Sequence, residues 1–202
     1  EAYGMTQDQR LRDAAQLAVN FCITGQDRST GGWGYTHGSG NDSSVAGWQI
    51  MALKSARMAY LDVPDAAFKK SSRFLDSVQA DGGSHYGYRT PGTGPATSAV
   101  GLLCRMYMGW KQDNPALKRG VEAIAELGPA QNNMYFNYYA TQVLFQYTGG
   151  KGPVWEQWNT TLRDYLIQQQ SQLGHEAGSW NECTYVLQGG RLYATCLSAM
   201  CL

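Results

Sequence analysis

Three carboxylates stand in polar or glycine-rich stretches of this 202-residue chain: Asp42 in GSGNDSS, Asp81 in QADGGSHY and Glu182 in WNECTY. Two of them facing each other across a cleft would suit acid and base work on a glycosidic bond. Glu182 adjoins Cys183, and His175 precedes both in the same segment. Their side chains are all of types that zinc accepts, which makes His175, Glu182 and Cys183 the metal candidates. Their spacing fits no established ligand pattern, so no metal or other cofactor is expected. Asp42 is the one candidate acid at the head of an apolar run. It has a structural reading as well, because a carboxylate there accepts from the first amides of a helix. No Gly-x-Ser-x-Gly elbow is present, and the glycine-rich GSGNDS has no lysine to hold a phosphate.

Aromatic residues recur where chemistry is sparse. QDRSTGGWGY (26–35), VQADGGSHYGY (78–88) and QLGHEAGSW (172–180) each lead from a glutamine through a polar, glycine-bearing stretch to a ring. With Tyr135 and Phe136 between the second and third of them, the rings recur every 45–53 residues or so, a length suited to a helical hairpin repeat. If the loops share one end of the fold, they gather Trp33, Tyr35, His37, Tyr86, Tyr88, Arg89, Tyr135, Phe136 and Trp180. Such an end could take an apolar, isoprenoid-like or sugar-like ligand, and helix N-termini there would favour an anion. The same rings have a purely structural reading, as braces for their loops.

The elements that must position these residues alternate between two kinds of helix. The amphipathic kind covers 7–23, 65–79, 115–127 and 154–170. In the first of them Leu11, Ala14, Ala15, Ala18, Phe21 and Cys22 are expected on the buried face. The other kind is apolar nearly all round: 44–56, 96–108, 138–147 and 191–202. A helix apolar on every side needs neighbours on every side. The simplest packing is all-α, with four hairpins (about 7–60, 65–110, 114–149 and 154–202) in two concentric layers and the apolar helices inside. Strand signals are weak, and no linker divides the chain.

Composition narrows the partners. Lys plus Arg equals Asp plus Glu at 16 each, so nucleic-acid binding through counterion release has little to act on. No apolar run reaches the roughly 20 residues of a membrane span, and no leader is seen. The five cysteines, at 22, 104, 183, 196 and 201, mostly sit in apolar helical runs and do not suggest a disulfide framework. The chain opens on Glu1 and closes in the apolar run RLYATCLSAMCL, which predicts that it is part of a longer protein.

QDRSTGGWGY and QLGHEAGSW resemble the Gln-Trp repeats of squalene and oxidosqualene cyclases. TSAVGLLCRMYMG and RLYATCLSAMCL are similar to inner helices of the wider prenyltransferase and squalene oxidase repeat family. The resemblance spans the whole chain as four repeats and implies an α/α toroid. A complete ring of this kind has about six hairpins, so four imply an incomplete ring, either a fragment or an open arc, and its free inner-helix edge implies contact with the rest of a parent chain or with a second copy. By the same resemblance Gln26 with Trp33, Gln172 with Trp180, and more loosely Gln79 with Tyr86, brace the helices. The clustered aspartates that protonate an alkene in the cyclases are missing, as are the Asp-x-Cys zinc ligands of the protein prenyltransferases and the Gly-Cys-Gly-Glu-Gln of thioester domains. The expectation is a non-catalytic repeat domain, structural or ligand-binding. The alternatives are an isoprenoid-processing enzyme and a carbohydrate-binding or carbohydrate-active toroid.

Overall fold

The structure is a computed structural model that describes residues 1–181 and 189–202. Among the described residues it is all-α apart from one two-residue ladder. The helices are α1 (Ala2–Thr6), α2 (Arg12–Thr24), α3 (Ser43–Met58), α4 (Asp65–Val78), α5 (Pro95–Tyr107), α6 (Pro115–Leu127), α7 (Met134–Thr148), α8 (Pro153–Gln169) and α9 (Gly190–Ala199). Strand β1 (Gln79–Ala80) pairs antiparallel with β2 (His85–Tyr86), with Gln79 opposite Tyr86.

The apolar helices form one row in chain order: α3 packs on α5, α5 on α7, and α7 on α9. The amphipathic helices pack against this row, α2 and α4 on α3, α6 on α5 and α7, and α8 on α7. Burial follows position in the row. Helix α5 is buried without a break from Ser98 to Arg105, and α7 from Phe136 to Thr141. The runs 44–56 and 191–202 are expected to be covered on every side, yet Trp48 and Leu192 are exposed. These helices end the row, where α3 packs chiefly on α5 and α9 on α7.

One device recurs along the chain: the loop leaving each amphipathic helix lies against the next amphipathic helix. After α2, a Cβ on Gly31 would stand 2.3 Å from Lys70 O of α4, and one on Gly32 would stand 2.7 Å from the Phe74 ring. Gly31 also has φ of +80°, so the Gly-Gly pair answers both a left-handed backbone and a close approach. Gln26, buried, donates from Nε2 to Gly31 O (2.9 Å), Ala67 O (3.0 Å) and Ser71 Oγ (3.3 Å). After α4, Arg119 of α6 donates to Asp81 O (3.4 Å), and Gly120 of α6 admits Ser84 O so closely that a Cβ would stand 2.7 Å away. After α6, Tyr165 of α8 donates to Gln131 O.

Two sequence-based expectations are corrected here. The segment 7–23 is not one helix: Gln7 takes the left-handed conformation after α1, and a 3₁₀ turn at Gln9–Leu11 precedes α2. The buried side of α2 centres on Val19 with Ala15 and Cys22 beside it, while Phe21 and Leu11 are exposed. Phe21 stands roughly a third of a turn from that stripe. Likewise Tyr135 and Phe136 belong to the first turn of α7 and not to the preceding loop, because Asn133 Oδ1 accepts from Phe136 N at 2.9 Å and starts the helix early.

The core contains ionisable groups held neutral. Burial raises the phenols of Tyr86, Tyr135, Tyr138 and Tyr139, and pushes Tyr107 up to about 12. Burial likewise pushes the Cys104 and Cys201 thiols up to about 12. In the unfolded chain these groups ionise near about 8.5 for cysteine and about 10 for tyrosine. Their raised folded values favour the fold below those pH values, and the advantage is lost as pH climbs through them toward the folded values. An alkaline titration should therefore show one cooperative loss of helical circular dichroism above about pH 10, with the tyrosinate absorbance of the buried rings appearing in the same step. Smooth tyrosine titration near pH 10 with helicity retained would contradict this burial.

Candidate functional site

A cleft of about 1080 Å³ opens where the row of apolar helices begins its turns, at the N-terminal ends of α3, α5, α7 and α9. Its first wall is set by the start of α3. Asp42, 1% exposed, accepts from Ser44 N (2.9 Å), Val45 N (3.2 Å) and Ser44 Oγ (2.5 Å). Tyr88 donates its hydroxyl to the other carboxylate oxygen, and this bond holds the Tyr88 phenol above its usual range. The loop carrying Tyr88 is locked onto α3 by Ser43, whose N donates to Tyr88 O (3.0 Å) and whose Oγ donates to Gly87 O (2.8 Å). Only glycine fits at position 87, since a Cβ would stand 2.0 Å from Thr90 O. The Arg89 guanidinium lies 5.2 Å over the Tyr88 ring and 4.0 Å from Asp42 Oδ2.

The second wall is aromatic. Trp48, 36% exposed, stacks on Tyr138 at 5.4 Å and meets Tyr135 and Tyr139 edge-on at 6.3 and 5.4 Å. Tyr135 donates to Ser44 O at 3.4 Å. These contacts fix the indole from behind and leave part of it to the cleft. Trp48 also borders a second, smaller cavity of about 330 Å³, which Val19, Met51 and Leu61 help to line. The third wall is the start of α5, where Gly94 and Pro95 supply no side-chain cap. Its first amides therefore have no side-chain cap.

The aromatic residues of the sequence analysis divide into two groups here. Tyr35, Tyr88 and Tyr135 line the cleft, and Arg89 sits beside it on Tyr88. Trp33, Tyr86, Phe136 and Trp180 are buried braces. Trp33 donates its indole N–H to Cys22 O at 2.8 Å, and Trp180 donates its own to Leu166 O at 2.8 Å. Each ties its loop back to the last turns of the amphipathic helix before it. Gln172 does not copy Gln26: it is exposed and bonds Gln170 O. His37 is exposed, with its ring 4.7 Å from Phe21.

The remaining candidates are not assembled into a site. Asp42 serves as the α3 cap, while Asp81 pairs with His85 at 3.1 Å. His175 is exposed with Glu176 3.8 Å away; Glu182 and Cys183 lie outside the described residues. Among the described residues no three His, Cys, Asp or Glu side chains gather as a metal site, and Cys22, Cys104, Cys196 and Cys201 are free thiols. No described helix is long and apolar enough to cross a membrane.

No family model, curated protein or solved structure matches the chain.

Sequence reasoning missed Trp48, Gln49, Asn133 and Tyr193 as parts of the cleft wall. Trp48 is invisible in SVAGWQIMALKSA because an all-apolar run has no marked face. Gln49 offered a signal: it is a carboxamide inside a run that otherwise reads as core.

Proposed function

We propose that this chain is a non-catalytic ligand-binding domain of the prenyltransferase and squalene oxidase repeat type, an open α/α toroid-like arc whose ligand enters the aromatic cleft. The ordered row α3–α5–α7–α9 with amphipathic helices packed on it supports the arc. The observation that carries the binding role is the cleft itself: a concave, aromatic-walled space with a few polar groups is the form that small-molecule sites take. Asp42, the acid candidate nearest to it, spends its carboxylate on two backbone amides, a serine and a tyrosine. Both oxygens are thus engaged at the start of α3, which is the arrangement of a helix cap.

A thermal-shift panel of squalene, farnesyl diphosphate and neutral hexasaccharides tests this reading. A compound at a hundredfold excess over its Kd should stabilise the fold by about 2.7 kcal/mol. For a domain of this size that is a rise in Tm of roughly 5–10 °C. The rise should vanish in Trp48→Ala and Tyr35→Ala but survive Asp42→Asn. Absence of any shift across the panel, or a shift indifferent to both cleft variants, would defeat the proposal.

A further inference from the structure

We infer that copies of this chain assemble head to tail, with the loop that leaves α8 in one copy seated on α2 of the next, an inference that does not rest on the cleft. The contact has its pattern inside the chain, where the loop that leaves α2 seats on α4. That loop is pinned by Asp27 N donating to Gly32 O (2.9 Å), Gly31 N to Asp27 O (3.0 Å), Gln26 Nε2 to Gly31 O (2.9 Å) and Trp33 Nε1 to Cys22 O (2.8 Å). The loop that leaves α8 repeats each bond in turn: Ser171 N to Ser179 O (2.9 Å), Gly178 N to Ser171 O (2.8 Å), Gln170 Nε2 to Gly178 O (3.0 Å) and Trp180 Nε1 to Leu166 O (2.8 Å). Gln170 thus takes the place of Gln26, and Gly178, with φ of +84°, takes the place of Gly31 with φ of +80°. The two loops differ in what covers them. A Cβ on Gly31 would stand 2.3 Å from Lys70 O, while a Cβ on Gly178 would meet nothing within 4 Å among the described residues. The Gln26 amide goes on to Ala67 O and Ser71 Oγ of α4, whereas among the described residues that of Gln170 reaches no helix beyond its own loop.

The helix face that fits such a seat is exposed on α2. On α4 the seated loop rests on Ala67, Lys70, Ser71 and Phe74, which share one side of the helix. Fifty-three positions earlier α2 carries Ala14, Leu17, Ala18 and Phe21 at the same spacing, and the same offset sets Gln26 against Gln79. Two small residues and a phenylalanine therefore recur in register. Phe74 is wholly buried, yet Phe21, with the His37 ring beside it, is 67% exposed and Leu17 68%. Ala14 and Ala18 are exposed as well. One chain carries both halves of the contact, a seat without its helix and a helix face without its seat, and a second copy supplies the missing half to each. The halves differ, so the contact is heterologous and links copies into a ring or an open row. Covering Leu17 and Phe21 drives it, and the second N–H of the Gln170 amide is placed for Ala14 O, the counterpart of Ala67 O. Ser179 stands where the first loop has Gly32, so Phe21 seats farther out than Phe74 does.

Sedimentation velocity of the whole chain at increasing concentration, up to about 1 mM, tests the inference. One loop on one helix is a small interface of the transient kind, so the average mass should equal the monomer in dilute solution and climb with concentration. Phe21→Glu spoils the helix face, and Gly178→Asn blocks the seat. Asparagine tolerates a positive φ, and the open space around Gly178 accepts it in the free protein. Each variant should melt with the parent protein and stay monomeric alone. Mixed in equal amounts, the two should form a dimer and nothing larger, because one copy keeps its seat and the other its helix face. Leu17→Glu takes the place of Phe21→Glu if that protein melts early. A parent protein that stays monomeric throughout would overturn the inference and leave both faces to some other chain. Assembly lost in Phe21→Glu but kept in Gly178→Asn would overturn it in favour of a symmetric contact of α2 on α2. A mixture no heavier than its separate variants, or assembly indifferent to both, would overturn it as well.

Discussion

Trp33→Ala should lower the free energy of unfolding by about 3–5 kcal/mol, the range for deleting a large buried aromatic side chain. Trp33 is 3% exposed, and its indole N–H reaches Cys22 O near the end of α2. Its loop is clamped from the other side by Gln26, which bonds the first turn of α4, and by Gly31 and Gly32, which let α4 approach. The loss therefore falls on the junction of two repeats and not on α2 alone. At 2–4 °C per kcal/mol for a domain of this size, Tm should drop by roughly 10 °C. Trp33→Phe separates the two contributions. It keeps most of the buried area and forfeits the bond to Cys22 O, so it should cost only about 1 kcal/mol in hydrogen bonding plus the volume difference. A Trp33→Ala protein that melts within about 2 °C of the parent, less than 1 kcal/mol, would show that the loop is not a brace.

The same residue shows what the sequence could and could not reveal. Gln26, the Gly-Gly pair and Trp33 are legible together because each is a residue type with a narrow use: a carboxamide to pair buried carbonyls, a backbone without Cβ, and a large ring with one donor. The eight long helices are legible for a similar reason, since amphipathic and apolar runs differ in period and in composition. Legibility stops where a decision depends on a neighbour in space. Phe21 and Val19 lie close together in one helical run, and only the position of α3 decides that Val19 is covered and Phe21 is not. Trp48 and Ile50 belong to the same apolar run, yet the first lines a cleft and the second is core. The paired tyrosines 86 and 88 divide in the same way, one buried and one at the cleft. The cleft was foreseen as an end of the fold that gathers rings, but which rings brace and which are offered to a ligand follows from packing that spans three helices.

Arg105 marks the second place where a single change should be severe. Its guanidinium is almost wholly buried in α5, yet it reaches two separate elements, β2 and α4. Nε donates to the Tyr86 hydroxyl at 3.0 Å, Nη1 to Ser72 Oγ at 2.9 Å, and Nη2 meets Asp76 Oδ1 at 2.5 Å. The Trp110 ring lies 5.0 Å from its central carbon. Tyr86 cannot shift to compensate, because its ring fills the space over Gly101, where a Cβ would stand 2.3 Å from it. Arg105→Ala removes the stem packing and leaves the buried Tyr86 hydroxyl without its donor, a penalty of about 1–3 kcal/mol for that group alone. With the lost packing the total should reach about 3–5 kcal/mol. Asp76→Ala should cost about 3 kcal/mol, toward the lower end for a broken buried pair, because Asp76 is half-exposed and water can reach the cation from its side. The node is costly to break and yet contributes little net stability, since burying the charge has its own penalty. The combined variant Arg105→Met, Asp76→Ala and Tyr86→Phe removes the cation, its counterion and the stranded hydroxyl while keeping volume. It should melt closer to the parent protein than either single alanine variant does. Urea unfolding of the parent and the three variants measures this directly. A combined variant less stable than both single variants would mean that the guanidinium contributes stability beyond satisfying its own neighbours.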